Sequence, residues 1–244
     1  MKALKSLHGM SFDENYEDKI IDIFHNNNLN YDLTDGKILN IIGLYYYCKT
    51  KNYNEIKKYF LMAIELNNAN AMNNLALYYD CIEINYDKMT KYYLMAIELN
   101  NDKAMYNFGN YYKYIEENYD KMKKYFLMAI ELNNSDAMDE LGSYYQGIEK
   151  NYNEMKKYYL MAIELNCDYS MRKLCNFYKK EVLHYLLRQI NSIMAIEKVK
   201  ELEKNNFLGV IIFEELTKYC FNPQRLLRLC NIYEIELNDY MDII

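Results

Sequence analysis

Between Asn118 and Asn133 the chain reads NYDKMKKYFLMAIELN, and its apolar side chains fall in two adjacent stripes. Met122, Phe126 and Ala129 stand at i, i+4 and i+7, with Tyr125, Met128 and Leu132 beside them. This spacing predicts an α-helix covered on two sides, with only a narrow strip around Asp120, Lys124, Leu127 and Glu131 left for water. Asn118 is placed to cap its start, and Asp120 falls in the first turn, where the helix dipole favours an acid. The Asn133-Asn134 pair suits a left-handed turn at its end. The stretch before it, DKAMYNFGNYYKYI, sets Met105, Phe108, Gly109 and Tyr112 at i, i+3, i+4 and i+7 and predicts a partner helix.

Both patterns recur. The octapeptide LMAIELNN begins at Leu61, Leu94 and Leu127 and returns as LMAIELNC at Leu160, each copy 33 residues after the last. The first-helix pattern recurs as Met72, Leu75, Ala76, Tyr79, then Met138, Leu141, Gly142, Tyr145, then Met171, Leu174, Cys175, Tyr178, and Leu39, Ile42, Gly43 and Tyr46 fit it as well. The third position of each set is small, which lets two helices approach closely. A fixed period in this range marks a stacked-repeat protein. Catalysis needs different groups converging on one point, whereas identical copies place the same group along a line, so the octapeptide is architecture. The expectation is an all-α protein, a right-handed α–α superhelix with five first helices and four well-marked second helices.

The unit AMYNFGNYYKYIEENYDKMKKYFLMAIELN resembles the tetratricopeptide repeat, through Met105, Phe108, Gly109, Tyr112, Tyr119, Phe126 and Ala129. Met122 replaces the first Ala of the second helix, and the Pro that follows that helix in the family is absent. The junction AIELNNSDAM resembles the Sel-one-like subclass, without its longer Gly-containing loop between the two helices. The resemblance covers residues 37–181 and implies a partner-binding scaffold whose concave surface is lined by first-helix side chains between the packing positions. Carried onto this chain, those are Asn40 and Leu44, Asn73 and Leu77, Tyr106 and Asn110, Asp139 and Ser143, and Arg172 and Asn176. Asp136 and Glu140 flank the fourth set, and Lys173, Lys179 and Lys180 the fifth. These positions vary while the packing positions do not, which predicts a groove that is neutral and Asn-rich at one end and passes from acidic to basic at the other. The excess of Asn, Ile, Lys and Tyr with only four Arg looks like the coding bias of an AT-rich genome and resembles repeat proteins of large DNA viruses and intracellular bacteria, so the expected location is cytoplasmic, the host's in those cases.

Residues 1–36 hold one amphipathic segment, EDKIIDIFHNN, expected to cap the first repeat. Residues 182–244 are expected to form a helical cap over the open end of the stack: after Asn222 and the sole Pro223, Leu226, Leu229, Cys230 and Tyr233 make a single apolar stripe. A docking module is the alternative for this segment.

Composition narrows the function. One Pro and seven Gly leave too little turn chemistry for a β-rich fold. A net charge of −6 offers no footprint for a polyanion, and the acidic fourth unit argues against a helical repeat that reads RNA, the competing class. There is no apolar run long enough to span a membrane. Six cysteines (Cys48, Cys81, Cys167, Cys175, Cys220, Cys230) form no CxxC pair and read as reduced packing thiols. His8, His25 and His184 fall on no repeated position, and no phosphate loop, GxSxG or HExxH occurs. The sequence therefore predicts no catalytic residue, metal or cofactor, and a monomeric, non-enzymatic adaptor that binds a protein segment. Lys57-Lys58, Lys123-Lys124 and Lys156-Lys157 read as parts of a solvated mixed-charge face with Glu65, Glu131 and Glu164.

Overall fold

The computed structural model describes residues 22–23, 31 and 33–189, with side chains to residue 178. Among them are nine α-helices: α1 (Gly36–Tyr45, continued by a π-helical turn, Tyr46–Thr50), α2 (Tyr53–Glu65), α3 (Ala69–Cys81), α4 (Tyr86–Glu98), α5 (Asp102–Tyr114), α6 (Tyr119–Glu131), α7 (Ser135–Gly147), α8 (Tyr152–Glu164) and α9 (Asp168–Gln189). Odd-numbered helices are the five first helices and even-numbered ones the four second helices. The described residues are all helix and turn. Of the expected terminal caps, Asp22 and Ile23 are helical, with Ile23 buried in the core and Asp22 accepting a hydrogen bond from Tyr31 at 2.6 Å. The rest of the N-terminal segment, and residues 190–244, lie outside the described residues. Helix α9 runs to Gln189, through the expected repeat boundary at residue 181.

The asparagines at the junctions do two jobs. In the second-to-first turns Asn67, Asn100, Asn133 and Asn166 adopt φ between 54° and 65°, the left-handed region that a short polar side chain tolerates best after glycine. The next residue then starts a helix: the side chains of Asn68, Asn101 and Asn134 accept from the backbone N–H of Ala71, Ala104 and Ala137, each at 2.8 Å. Cys167 stands in the fourth copy, where Ser170 Oγ lies 3.4 Å from its sulfur. Second helices begin on Asn52, Asn85, Asn118 and Asn151, each accepting from the third residue onward.

The chain divides into two compact units, residues 1–137 and 138–244, with the division inside α7. In the N-terminal unit the second-helix stripes Ile56/Phe60/Ala63, Met89/Tyr93/Ala96 and Met122/Phe126/Ala129 are completely buried. Each such Phe or Met contributes about 1.5–3 kcal/mol of transfer free energy. In the C-terminal unit Met155, Tyr159 and Ala162 repeat the stripe. The small first-helix positions hold these rings: a Cβ on Gly43, Gly109 or Gly142 would lie 2.5–2.6 Å from Phe60, Phe126 or Tyr159. Leu132 departs from expectation. It is exposed while Ile130 is buried, because Leu132 is the C-cap of α6, where the chain already turns away from the helix axis.

Candidate functional site

Four of the thirteen residues proposed for a groove are buried: Asn40, Asn73, Tyr106 and Asp139 have relative exposures of 1, 0, 7 and 8 %, and Leu44 beside them is at 0 %. This corrects the reading of those positions as free surface. The reason lies in how first helices meet. Asn74 Nδ2 donates to Asn40 Oδ1 at 2.8 Å, Asn73 Nδ2 to Asn74 Oδ1 at 3.3 Å, and Asn107 Nδ2 to Asn73 Oδ1 at 2.9 Å. A continuous row of buried amides thus links α1, α3 and α5. A buried amide is tolerated only when paired, and each one here supplies what its neighbour lacks. Asn74 and Asn107 were missed by the sequence reading. The signal was present as a 34-residue diagonal: a polar residue after the first packing position of a first helix (Leu39, Met72), paired with the residue one place further on in the next repeat.

The same diagonal carries different chemistry in the C-terminal unit. Lys173 Nζ forms an ion pair with Asp139 and donates to Ser143 Oγ at 2.8 Å, while Ser170 Oγ donates to Asp139 Oδ1 at 2.7 Å. Asp139, Ser143 and Lys173, expected to line a groove passing from acidic to basic, are therefore tied to one another.

Other proposed residues remain accessible. Asp136, Arg172 and Asn176 are exposed, and Leu77, Asn110, Glu140 and Ser143 are half-buried; the side chain of Lys179 lies outside the described residues. Arg172 lies over the Tyr169 ring at 4.7 Å. Asn110 Oδ1 has no hydrogen-bond partner among the described residues.

Away from these positions, each unit holds a near-coplanar tyrosine pair joining first and second helix: Tyr46–Tyr59, Tyr79–Tyr92, Tyr112–Tyr125 and Tyr145–Tyr158, with centroids 5.4–5.8 Å apart. A lysine lies over a ring of every pair, Lys58, Lys91, Lys124 and Lys157 over the second-helix member. The lysine pairing also differs from expectation. Lys58 and Lys157 bridge back to Glu55 and Glu154, Lys123 to Asp120, and Lys57 reaches Glu83 at 2.9 Å. The hydrogen bond from Lys57 holds the Glu83 carboxyl below its ordinary range.

Reactive groups are poorly activated. Burial pushes the Cys48 thiol up to about 11 and raises Cys81, so both are protonated near neutrality and weakly nucleophilic. Burial also raises Asp80, and pushes Tyr159 up to about 12. Cys48, Cys81, Cys167 and Cys175 are free thiols. Among the described residues no three His, Cys, Asp or Glu side chains gather where a metal could bind, and no helix is long and apolar enough to cross a membrane.

No family model matches the sequence, and no curated protein does. Among solved structures, a Sel1 repeat protein from Oxalobacter formigenes matches 90 % of this chain and 94 % of its own, with a TM-score of 0.55 at 18 % identity. The immunity protein PA5088 from Pseudomonas aeruginosa matches 68 % of this chain and 70 % of its own, with a TM-score of 0.31 at 18 % identity. The first likeness is one of fold: paired helices repeated as in a Sel1 repeat protein.

Proposed function

We propose that the chain is a non-enzymatic scaffold that binds a protein segment on the accessible part of its first-helix face. Sel1-like and tetratricopeptide-like folds generally serve as protein-interaction scaffolds, and stacked helices present extended surfaces that suit an extended segment. The observation that carries the reading is Asn110. It stands between the packing positions of α5, half-buried, with an amide oxygen that no described residue satisfies. That oxygen is itself enclosed, so a bound segment reaches the amide only once the side chain turns outward, where it can accept from a backbone N–H or donate to a carbonyl. Asp136, in the same unit, is exposed and offers a further polar side chain. The four free thiols among the described residues suit a binding role in a reducing, cytoplasmic setting.

The test is affinity capture with the full chain, identification of the captured protein, and a binding titration with Asn110→Ala, Asp136→Lys and a turn control, Lys49→Glu. Affinity should fall at least several-fold in the first two and stay unchanged in the third. Equal affinity in all three would remove the first-helix face as the site.

A further inference from the structure

The first helices vary from unit to unit, whereas the second helices repeat almost word for word, and the repetition includes exposed residues outside the packing stripes. On α2, α4 and α6 of the N-terminal unit, Leu61, Leu94 and Leu127 are 39, 41 and 42 % exposed. Each sits in the same exposed stripe: Lys58, Leu61 and Glu65, then Lys91, Leu94 and Glu98, then Lys124, Leu127 and Glu131. Lysine precedes the leucine by one turn and glutamate follows it by one turn. Among the described residues Glu65, Glu98 and Glu131 have no hydrogen-bonding or ionic partner, and Lys91 and Lys124 have only the tyrosine ring beneath them. Lys88 and Lys121 stand three residues earlier, where Glu55 pairs with Lys58 in the first copy.

We infer that this strip is a self-association surface, and that its occupant is a second copy of the chain. An isologous contact requires a patch complementary to itself under a two-fold rotation. A two-fold axis lying in the contact plane and perpendicular to the second helices sets each helix antiparallel to its own counterpart. Leucine then meets leucine, Lys91 of one copy meets Glu98 of the other, and Lys124 meets Glu131. An axis parallel to the helices would set lysine against lysine. The charges therefore select one pairing out of two, most clearly in the second and third copies, where Lys58's intramolecular partner Glu55 is replaced by Lys88 and Lys121. Three 13-residue helices present a face of about 20 by 30 Å, so the pair buries ~1,200 Å² in all, at the lower end for specific association. The dimer is accordingly weak and concentration-dependent. The surface is distinct from the first-helix face proposed above, and either reading can fail alone.

Sedimentation equilibrium of the full chain over micromolar to millimolar concentrations tests it. Wild type should pass reversibly from monomer to dimer, and Leu61→Asp/Leu94→Asp/Leu127→Asp should stay monomeric with unchanged helical circular dichroism. The charge arrangement gives a sharper reading: Lys91→Glu/Lys124→Glu should weaken the dimer about tenfold. Adding Glu98→Lys/Glu131→Lys should restore it, because the rotation swaps the two sets. A wild type that remains monomeric throughout overturns the proposal. So does a thermal midpoint lowered by the leucine substitutions in a chain that never dimerises, since the strip is then covered from within. A dimer that survives the triple substitution, or a charge reversal that the second pair fails to rescue, overturns it as well.

Discussion

The N-terminal unit joins its first helices with uncharged amides, and the C-terminal unit makes the corresponding link with an ion pair. Asn40–Asn74 and Asn73–Asn107 occupy the 34-residue diagonal in one, and Asp139–Lys173 occupies it in the other. The amides are almost wholly buried, at 0–6 % exposure, whereas the Lys173 side chain is 38 % exposed. One scaffold position thus accepts either chemistry, provided that the partner one unit on supplies the complement. A neutral amide costs less to desolvate than a charge, which is why the fully dry version of the link is made of asparagine. What the units share is the small residue beneath an aromatic ring, so variation enters at the link and not at the ring.

Changes at the shared feature should have the largest effect. Gly109→Leu and Gly142→Leu place side chains where even a Cβ would lie 2.5–2.6 Å from Phe126 or Tyr159. Each should cost on the order of 3 kcal/mol through overpacking, read as a lowered urea midpoint. An unchanged midpoint in either variant would mean that its ring has room to move.

The links come next. Asn73→Ala leaves Asn74 Oδ1 and Asn107 Nδ2 without the bonds they make to it and should cost roughly 2–3 kcal/mol, independent of salt. Asp139→Ala removes the partner of Lys173 and of the buried Ser170 hydroxyl. With Lys173 partly solvated, its cost should be nearer 1–2 kcal/mol, and the gap from wild type should narrow at high salt. Equal salt dependence of the two penalties would erase the distinction drawn between the units.

How much of this could be read in advance follows from the range of each interaction. The 33-residue period, the cap at Asn118, the left-handed turn at Asn133 and the close approach at Gly109 all rest on residues a few places apart or on repetition itself, and the sequence displays both directly. Asn40, Asn73 and Asp139 read as surface because a polar residue between packing positions ordinarily faces water. Their burial depends on the following first helix, which no local pattern describes. Asn110 and Arg172 were legible as candidates, but only the fold separates the half-buried Asn110 and the exposed Arg172 from the buried side chains beside them.

Two tyrosines in equivalent slots should respond with opposite sign. Tyr159 Oη donates to Gln146 Oε1 at 2.9 Å and lies 3.2 Å from Ser143 Oγ. Tyr93 Oη is buried without a partner among the described residues: Leu77, which cannot hydrogen-bond, stands where Ser143 does, and Asp80, one methylene shorter, where Gln146 does. Burial raises the Tyr93 phenol well above its ordinary range, with Asp80 and then Cys81 adding to the effect. Tyr93→Phe should therefore stabilise by about 1 kcal/mol, matching Phe60 and Phe126 in the neighbouring copies, while Tyr159→Phe should destabilise by about 1 kcal/mol. A loss of stability in both would show that Tyr93 has a hydrogen-bond partner after all.

The smallest effect sets the two kinds of turn against each other. Second-to-first turns place Asn at every left-handed position, but the first-to-second turns use Lys51, Ile84, Glu117 and Lys150 at φ between 48° and 55°. Ile84 is the worst suited of these, since a β-branched side chain crowds the carbonyl in that region and this one is also 57 % exposed, with little packing to offset the strain. Ile84→Asn should raise the thermal stability by roughly 1 kcal/mol. Ile84→Gly should gain less, because glycine also adds freedom to the unfolded chain. The reciprocal change, Asn100→Ile, should lower stability by a similar amount at a position with nearly the same φ. If Ile84→Asn and Asn100→Ile both leave the melting temperature where it was, the left-handed geometry is not strained in either turn, and the asparagines at the junctions are there for their side-chain bonds alone.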